Sequence, residues 1–226
     1  MTLYDLHTHS VSSDEVDGFD TVNIVSISPE LYLKTNIESI SYSCGIHPWD
    51  TVRSVEQSFS LLQKVALMEN VAAIGEVGLD MLRGGSMDYQ ERVLRLQIEL
   101  AKKCRKPLIF HCVKSWDKLM ALYKEYKPTG SWIIHGFRGK PQHAEQLLSL
   151  GFHLSFGKNH NGDTLKIVPL DRLFVETDAS TSASILSVYE NISSVIGLPI
   201  NELVSVIGEN IRRVFPTINN SLYGKI

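Results

Sequence analysis

The chain has 226 residues, of which 43% are hydrophobic and 21% charged, and its formal net charge is −3. These values are typical of a globular protein with a sizeable core, and the mild acidity argues against a protein that coats nucleic acid through bulk charge. Three cysteines are too few for a disulfide framework, no apolar run approaches a membrane-spanning length, and the N-terminus does not resemble a signal peptide. We therefore expect a cytoplasmic protein.

Short β-branched or aromatic runs, each bounded by Gly, Pro, Asp or Asn, recur along the chain and predict eight strands. Several of these runs are continuously apolar, which is typical of parallel strands that are buried on both faces. The predicted strands are Leu3–Leu6, Val22–Ile27, Ser39–Gly45, Val71–Gly75, Pro107–Phe110, Ser131–Ile134, Phe152–Ser155 and Arg172–Glu176.

Helical patterns lie between most of the predicted strands. The segment between Leu6 and Val22 has no such pattern, so the first helix of the series is expected to be shortened or missing. Ser28–Thr35 holds at most one short turn or helix. The remaining predicted helices are Val55–Glu69, Tyr89–Cys104, Trp116–Tyr126, Gln142–Leu150, Ile185–Ile196 and Asn201–Phe215.

Strands that alternate with helices indicate parallel βαβ units. Eight such strands in a chain of this length predict an α/β fold, a TIM-type (β/α)8 barrel that is slightly degenerate at its first helix. An open doubly wound sheet is the alternative. The sequence contains no linker or low-complexity tract, so residues 1–226 are expected to form a single domain.

Histidines and carboxylates stand at the predicted carboxyl ends of the strands, where barrel enzymes carry their reactive side chains. The first strand ends in His7-Thr8-His9, whose two imidazoles face the same side because alternate residues of a strand do so. Imidazole together with carboxylate suits Zn²⁺, Mn²⁺, Ni²⁺ or Fe²⁺, and six ligands are enough for two ions that share a carboxylate. The other four ligand candidates are Glu76, His111, His135 and Asp178.

Six motifs follow one another along the chain: His7-Thr8-His9, Gly45-Ile46-His47-Pro48, Ile74-Gly75-Glu76-Val77-Gly78-Leu79-Asp80, Pro107…His111, His135-Gly136-Phe137-Arg138-Gly139 and Glu176-Thr177-Asp178-Ala179. Together they resemble the TatD family of metal-dependent hydrolases, and Gly208–Phe215 resembles the last helix of that family. The resemblance runs from Leu3 to Phe215. It implies a TIM-type barrel of the amidohydrolase superfamily. It also implies a hydrolase that cleaves ester bonds with divalent metal ions and has deoxyribonuclease activity.

The resemblance also implies a role for each ligand candidate. His7 and His9 are ligands of a first metal ion, Glu76 bridges both ions, and His111 and His135 hold the second ion. The cofactors implied are two divalent ions: Zn, Mg, Mn or Ni.

Asp178 joins the first ion and is placed to orient or deprotonate the attacking water. The sequence leaves open whether Asp178 is a general base or only a ligand. Asp178 and Glu76 are the catalytic residues implied by the resemblance.

Basic residues recur just beyond the strand ends and are candidates for holding phosphate groups, with solvated loop charges as the alternative. Arg138 is the favoured phosphate contact because it lies three residues after His135. His47 and Lys114 are further expected substrate contacts, although His47 is equally consistent with a structural residue at the barrel mouth. The other basic residues of this set are Arg83, Lys140 and Lys158.

The leading functional hypothesis is a phosphodiesterase or deoxyribonuclease that uses a water activated by two metal ions. The stretch from His9 to Gly45 and the stretch after Asp178 are shorter than in typical TatD proteins. They favour, as an alternative, hydrolysis of a small phosphoester, amide or lactone at the same site. A non-catalytic metal-binding scaffold is the third hypothesis. The expected partner is DNA or a small phosphoester, with no membrane and no stable protein partner.

Overall fold

The structure, a computed structural model, describes residues 1–10, 15–16, 18–179 and 184–218. Its strands are β1 (Thr2–Thr8), β2 (Glu15–Val16), β3 (Phe19–Ile27), β4 (Ser41–Cys44), β5 (Val71–Asp80), β6 (Leu108–Val113), β7 (Trp132–Ile134), β8 (His153–Phe156) and β9 (Leu173–Val175). Its α-helices are α1 (Pro29–Thr35), α2 (Glu56–Val65), α3 (Met87–Cys104), α4 (Trp116–Tyr126), α5 (Pro141–Leu150), α6 (Gly162–Leu165), α7 (Ile185–Ile196) and α8 (Ile200–Val214). Two short 3-10 helices span Pro48–Val52 and Leu170–Arg172.

All eight predicted strands and all the predicted helices are found. The predictions missed β2, α6 and the two 3-10 helices, because segments this short carry no periodic pattern. Between β1 and β3 the described residues 9–10, 15–16 and 18 form no helix, as expected for a missing first helix. Residues 11–14 and 17 of the same stretch lie outside the described part of the chain, as do residues 180–183 of the shortened stretch after Asp178.

Four strands, β1, β3, β5 and β6, are longer than predicted. The predicted fourth strand ends at Gly75, whereas β5 continues to Asp80, and the predicted fifth strand ends at Phe110, whereas β6 continues to Val113. The extensions of β5 and β6 pair with each other, with Gly78 opposite His111 and Asp80 opposite Val113. Glu76 and His111 therefore lie inside paired strands, which fixes their backbones more firmly than loop positions would.

The chain divides into two compact units, Met1–Val25 with His135–Ile226 and Ser26–Ile134. In the first unit β1 pairs with β3, a parallel bridge between Thr8 and Asp178 follows, and β8 pairs with β9. Helices α7 and α8 pack on β1, where the buried Tyr189 hydroxyl donates to the Tyr4 carbonyl (3.0 Å) and accepts from the Tyr4 amide (3.2 Å). The carboxyl ends of β1 and β9 are thereby held side by side.

The second unit contains β4, β5, β6 and β7, which pair in that order and in parallel. Every residue of β5 is buried, as expected for a central strand covered on both faces, and α3 packs against it. The carboxyl-terminal halves of β5 and β6 therefore lie next to each other and next to the segment that follows β4.

Within the described residues, no single helix is long and apolar enough to cross a membrane. Helices α7 and α8 reach that length and hydropathy only when they are taken together, and the pair is bent by 107°.

Gly78 permits the close approach of β5 to β6. Its φ is +144°, and a Cβ atom at this position would lie 1.8 Å from the His111 carbonyl oxygen. We expect Gly78→Ala to lower the free energy of unfolding by about 3 kcal/mol, because the strands must separate or the backbone must take a strained conformation. Urea denaturation measures this difference.

Gly130→Ala is the matched control, since a Cβ atom there would meet only the Lys106 carbonyl oxygen, at 3.9 Å. This control should change stability by less than about 1 kcal/mol. Equal stabilities of the two variants would contradict the steric argument.

Candidate active site

In the first unit, His7 of β1 and His9, which directly follows β1, both lie near the carboxylate of Asp178. The Nε2 atoms of His7 and His9 lie 3.8 Å and 3.6 Å from Asp178 Oδ1, and the two rings meet edge to face with centroids 5.1 Å apart. The His135 ring lies 4.2 Å from the His7 ring. His7, His135 and Asp178 each offer one ligand atom, all within 4.8 Å of one another, so they form a group able to hold a metal ion.

Asp5 holds this cluster in place. Its Oδ1 accepts hydrogen bonds from the Thr177 amide (3.0 Å) and the His7 amide (3.3 Å), and its Oδ2 accepts one from the Thr177 hydroxyl. Burial raises the pKa of Asp5 to about 7, although the hydrogen bonds from Thr177 oppose this shift. Asp5 therefore ties the strand that carries His7 to the segment that carries Asp178.

The raised pKa of Asp5 makes the stability of the fold depend on pH. Below the ordinary value of 3.8 the acid is protonated in both folded and unfolded states, and it carries no charge penalty. As the pH rises toward about 7, the unfolded chain ionises while the folded chain resists, so stability is lost across that window. We expect Asp5→Asn to gain stability relative to the unchanged protein across it, by up to about 1.4 kcal/mol per pH unit.

Urea denaturation in EDTA at a series of pH values measures this effect, as the difference between variant and unchanged protein. Asp171→Asn removes an exposed carboxylate of the same unit and should give a flat difference. A flat difference for Asp5→Asn as well would show that Asp5 does not titrate in this range.

Glu176 lies beside the imidazole of His135. It is fully buried, its Oε1 accepts the Gly136 amide proton at 2.6 Å, and the same oxygen lies 3.5 Å from His135 Nδ1. A carboxylate that faces one ring nitrogen leaves the other nitrogen available to a metal. The sequence prediction missed this residue, although it opens the Glu176-Thr177-Asp178 motif.

The second unit carries a cluster of its own. Glu76 Oε1 lies 3.1 Å from His47 Nε2 and 2.9 Å from His111 Nδ1, and these three residues also form a group able to hold a metal ion. His47 Nδ1 accepts the Trp49 amide proton at 3.1 Å, which leaves Nε2 as the ring nitrogen that faces Glu76. His47, predicted as a substrate contact or a structural residue, thus lies directly on a predicted metal ligand.

Asp80 fixes the other nitrogen of His111. Its Oδ2 lies 3.0 Å from His111 Nε2 and accepts the Trp49 indole proton at 2.6 Å, while Oδ1 accepts the Leu82 and Arg83 amide protons. Burial acts to raise the pKa of Asp80, but the hydrogen bonds from Trp49, His111 and Leu82 outweigh burial and hold the pKa below its usual value. The charged carboxylate thus directs His111 Nδ1 toward Glu76.

Arg138 and Lys114, the other predicted substrate contacts, are exposed. Arg138 belongs to the first unit and comes four residues after the end of β7. Lys114 belongs to the second unit, directly follows β6 and has a positive φ of 50°. In the described chain no hydrogen bond or ion pair joins either side chain to the cluster of its own unit.

The family model of TatD related DNases matches residues 11–216 of this chain. The chain belongs to the TatD family. The uncharacterized metal-dependent hydrolase YabD of Bacillus subtilis (strain 168) is 29% identical over 221 residues, which cover 88% of this chain and 86% of YabD. The 3'-5' ssDNA/RNA exonuclease TatD of Rahnella sp. (strain Y9602) is 34% identical over 149 residues, which cover 61% of this chain and 56% of that exonuclease. The predicted resemblance and the class of metal-dependent hydrolase are thereby confirmed.

The structure of this TatD family chain is similar to the crystal structure of YjjV, a TatD homologue from Escherichia coli K12. The TM-score is 0.78 with 22% sequence identity, and the match covers 95% of this chain and 98% of YjjV. This likeness confirms the predicted fold class, a TIM-type (β/α)8 barrel, and rejects the open doubly wound sheet. The individual ligands and substrate contacts remain predictions.

Proposed function

We propose that this TatD family protein is a phosphodiesterase that hydrolyses DNA with divalent metal ions. The observation that carries the proposal is the presence, in each compact unit, of a His and carboxylate group whose ligand atoms lie within 4.8 Å of one another. The name of the Rahnella relative, a 3'-5' ssDNA/RNA exonuclease, supports nucleic acid as the substrate class. We propose single-stranded DNA as the substrate.

The donor chemistry fits divalent ions such as Zn²⁺, Mn²⁺, Ni²⁺ or Mg²⁺, because each group combines imidazole nitrogen with carboxylate oxygen. Such ions supply Lewis-acid activation of water and of a phosphoryl oxygen when they are bound. We propose two ions, with the ligands His7, His9, Glu76, His111, His135 and Asp178.

Asp178 is the proposed proton acceptor. Its side chain is 31% exposed, so water reaches it, and Oδ1 lies close to the Nε2 atoms of both His7 and His9. A carboxylate in this position orients a water molecule and takes its proton at Oδ1 or Oδ2 as the water attacks phosphorus. Glu76, the second proposed catalytic residue, is buried and held by His47 and His111.

Arg138, His47 and Lys114 remain proposed substrate contacts. We also propose that residues 1–226 act as one catalytic domain in the cytoplasm. The three free cysteines, Cys44, Cys104 and Cys112, support this location, since a reducing compartment keeps thiols unpaired.

The test is a nuclease assay on protein that is stripped with EDTA and reloaded separately with Mg²⁺, Mn²⁺, Zn²⁺ or Ni²⁺. End-labelled single-stranded DNA should be shortened only in the presence of metal, and metal analysis should show bound ions. Hydrolysis of p-nitrophenyl esters, phosphomonoesters or a lactone without any cleavage of DNA would assign a small substrate instead. A loaded protein that cleaves none of these substrates would be a metal-binding scaffold.

A further inference from the structure

Arg83 stacks on an exposed indole in the second unit. Its Cζ atom lies 3.7 Å from the centroid of the Trp49 ring, a distance typical of a guanidinium held against an aromatic face. Trp49 is 38% exposed. Arg83 is exposed, and across the described ranges no carboxylate forms an ion pair with its guanidinium.

The loop that carries Arg83, residues 81–86, is fixed by a buried amide. Gln90 is 2% exposed, and its Nε2 atom lies within hydrogen-bonding distance of the carbonyl oxygens of Asp80 (2.9 Å), Arg83 (3.0 Å) and Gly85 (2.9 Å). Its Oε1 accepts the Asp80 amide proton at 2.8 Å. A loop held in this way keeps the position of Arg83 without a bound partner.

Two glycines bring the same loop against the 3-10 helix that carries Trp49. A Cβ atom on Gly84, whose φ is +99°, would lie 2.3 Å from the Pro48 carbonyl oxygen, and one on Gly85 would lie 2.3 Å from the Thr51 carbonyl oxygen. The Gly85 amide also donates to the Thr51 hydroxyl at 2.9 Å. The close approach of these two backbone segments therefore places Arg83 next to Trp49.

The stack is also joined to a proposed metal ligand. The Trp49 indole proton goes to Asp80 Oδ2, the same oxygen that lies 3.0 Å from His111 Nε2, and the Trp49 and His111 rings are 5.6 Å apart. A single indole thus connects the free guanidinium to the His111 imidazole.

We propose that Arg83 and Trp49 form a phosphate subsite that binds the backbone of a single-stranded nucleic acid next to the phosphodiester that is cleaved. A planar guanidinium with free N–H groups matches phosphate oxygens in pairs, and the Trp49 indole on which it stacks holds the plane of that guanidinium in place. This inference rests on the proposed function. Because Arg83 contacts a neighbouring phosphate, it contributes more to the binding of an oligonucleotide than to the binding of a substrate with a single phosphodiester.

Binding of a fluorescein-labelled oligothymidylate to the full, metal-free chain in EDTA tests the subsite by fluorescence anisotropy. Arg83→Met should weaken binding about tenfold, and should reduce the slope of log affinity against log salt by about 0.7. Arg83→Lys should recover part of the affinity, because it keeps the charge and loses the planar fork.

Arg92→Met is the matched control, since Arg92 also lies over an aromatic ring, that of Tyr89 at 4.7 Å, on a different part of the same unit. It should bind the oligothymidylate as the unchanged protein does. Equal affinities of the Arg83→Met and Arg92→Met variants, or no binding by the unchanged protein, would overturn the inference.

Hydrolysis of bis(p-nitrophenyl) phosphate by the metal-loaded proteins separates the two proposals. The subsite requires that Arg83→Met lowers hydrolysis of an oligonucleotide by a larger factor than hydrolysis of this single diester, and an equal loss on both substrates would place Arg83 outside the subsite. If neither the wild-type protein nor any variant hydrolyses the diester or DNA, the proposed function fails. The anisotropy measurement still shows whether Arg83 binds the nucleic acid.

Discussion

Glu76→Gln is expected to lower kcat for DNA hydrolysis by about 10³-fold, the upper range for removing one electrostatic contact to a transition state. The Glu76 carboxylate is buried, and its Oε1 contacts the imidazoles of His47 and His111. An amide keeps the shape of the side chain and removes the negative charge that holds a cation among these groups. The variant should therefore fold normally and lose bound metal together with activity.

Metal analysis after gel filtration and single-turnover cleavage of labelled DNA measure the two losses together. Glu91→Gln is the matched control, because Glu91 belongs to the same unit and, among the residues that the structure describes, pairs only with the surface cations Arg95 and Lys118. The control should retain both metal and activity. A Glu76→Gln variant that keeps more than about one-tenth of the activity would exclude Glu76 from the machinery, since ligand loss costs far more than tenfold.

Asp80→Asn is expected to weaken metal binding by about 10- to 100-fold, the range for removing the carboxylate that orients a ligating histidine. Both oxygens of Asp80 are surrounded by N–H donors: Trp49 and His111 face Oδ2, and the amides of Leu82 and Arg83 face Oδ1. An asparagine must place its NH₂ group against one of these pairs, whichever way it is turned. His111 then loses its orientation or the loop loses its anchor.

Isothermal titration of Zn²⁺ or Mn²⁺ into the stripped protein measures the affinity, with thermal unfolding recorded alongside. Asp117→Asn, an exposed carboxylate in the first turn of α4, is the control and should bind metal as the unchanged protein does. Equal affinities for the two variants would mean that Asp80 serves the loop alone.

The sequence predicted the barrel elements well because each strand is a short apolar run and each helix has a clear periodicity. It predicted strand ends less well. Glu76 and Asp80 interrupt the apolar pattern of β5, yet both are buried inside the strand because histidines and an indole satisfy their carboxylates. A charge that is paired across strands looks, in sequence, like the end of a strand.

The histidines and acids of the two clusters could also be found from the sequence, since each follows or ends a predicted strand. Their supporting residues could not. Asp80 meets Trp49 across 31 positions, and Glu176 meets Gly136 across 40. Such pairings depend on which strands are neighbours, and no local spacing encodes them. For the same reason, the sequence favours Arg138 as a phosphate contact, because it is close to His135 along the chain. The structure favours Arg83, because it stacks on Trp49.

The division of the chain into one continuous and one interrupted unit has a consequence for biosynthesis. The second unit is the unbroken stretch Ser26–Ile134, so its residues His47, Glu76 and His111 have all left the ribosome before the first unit resumes at His135. The group of the first unit waits for Asp178, and its closure joins residues far apart along the chain, which costs loop entropy and time. At about 5–20 residues per second, the His47 group is complete several seconds earlier, and it is the first cluster that a nascent chain can offer to a cation.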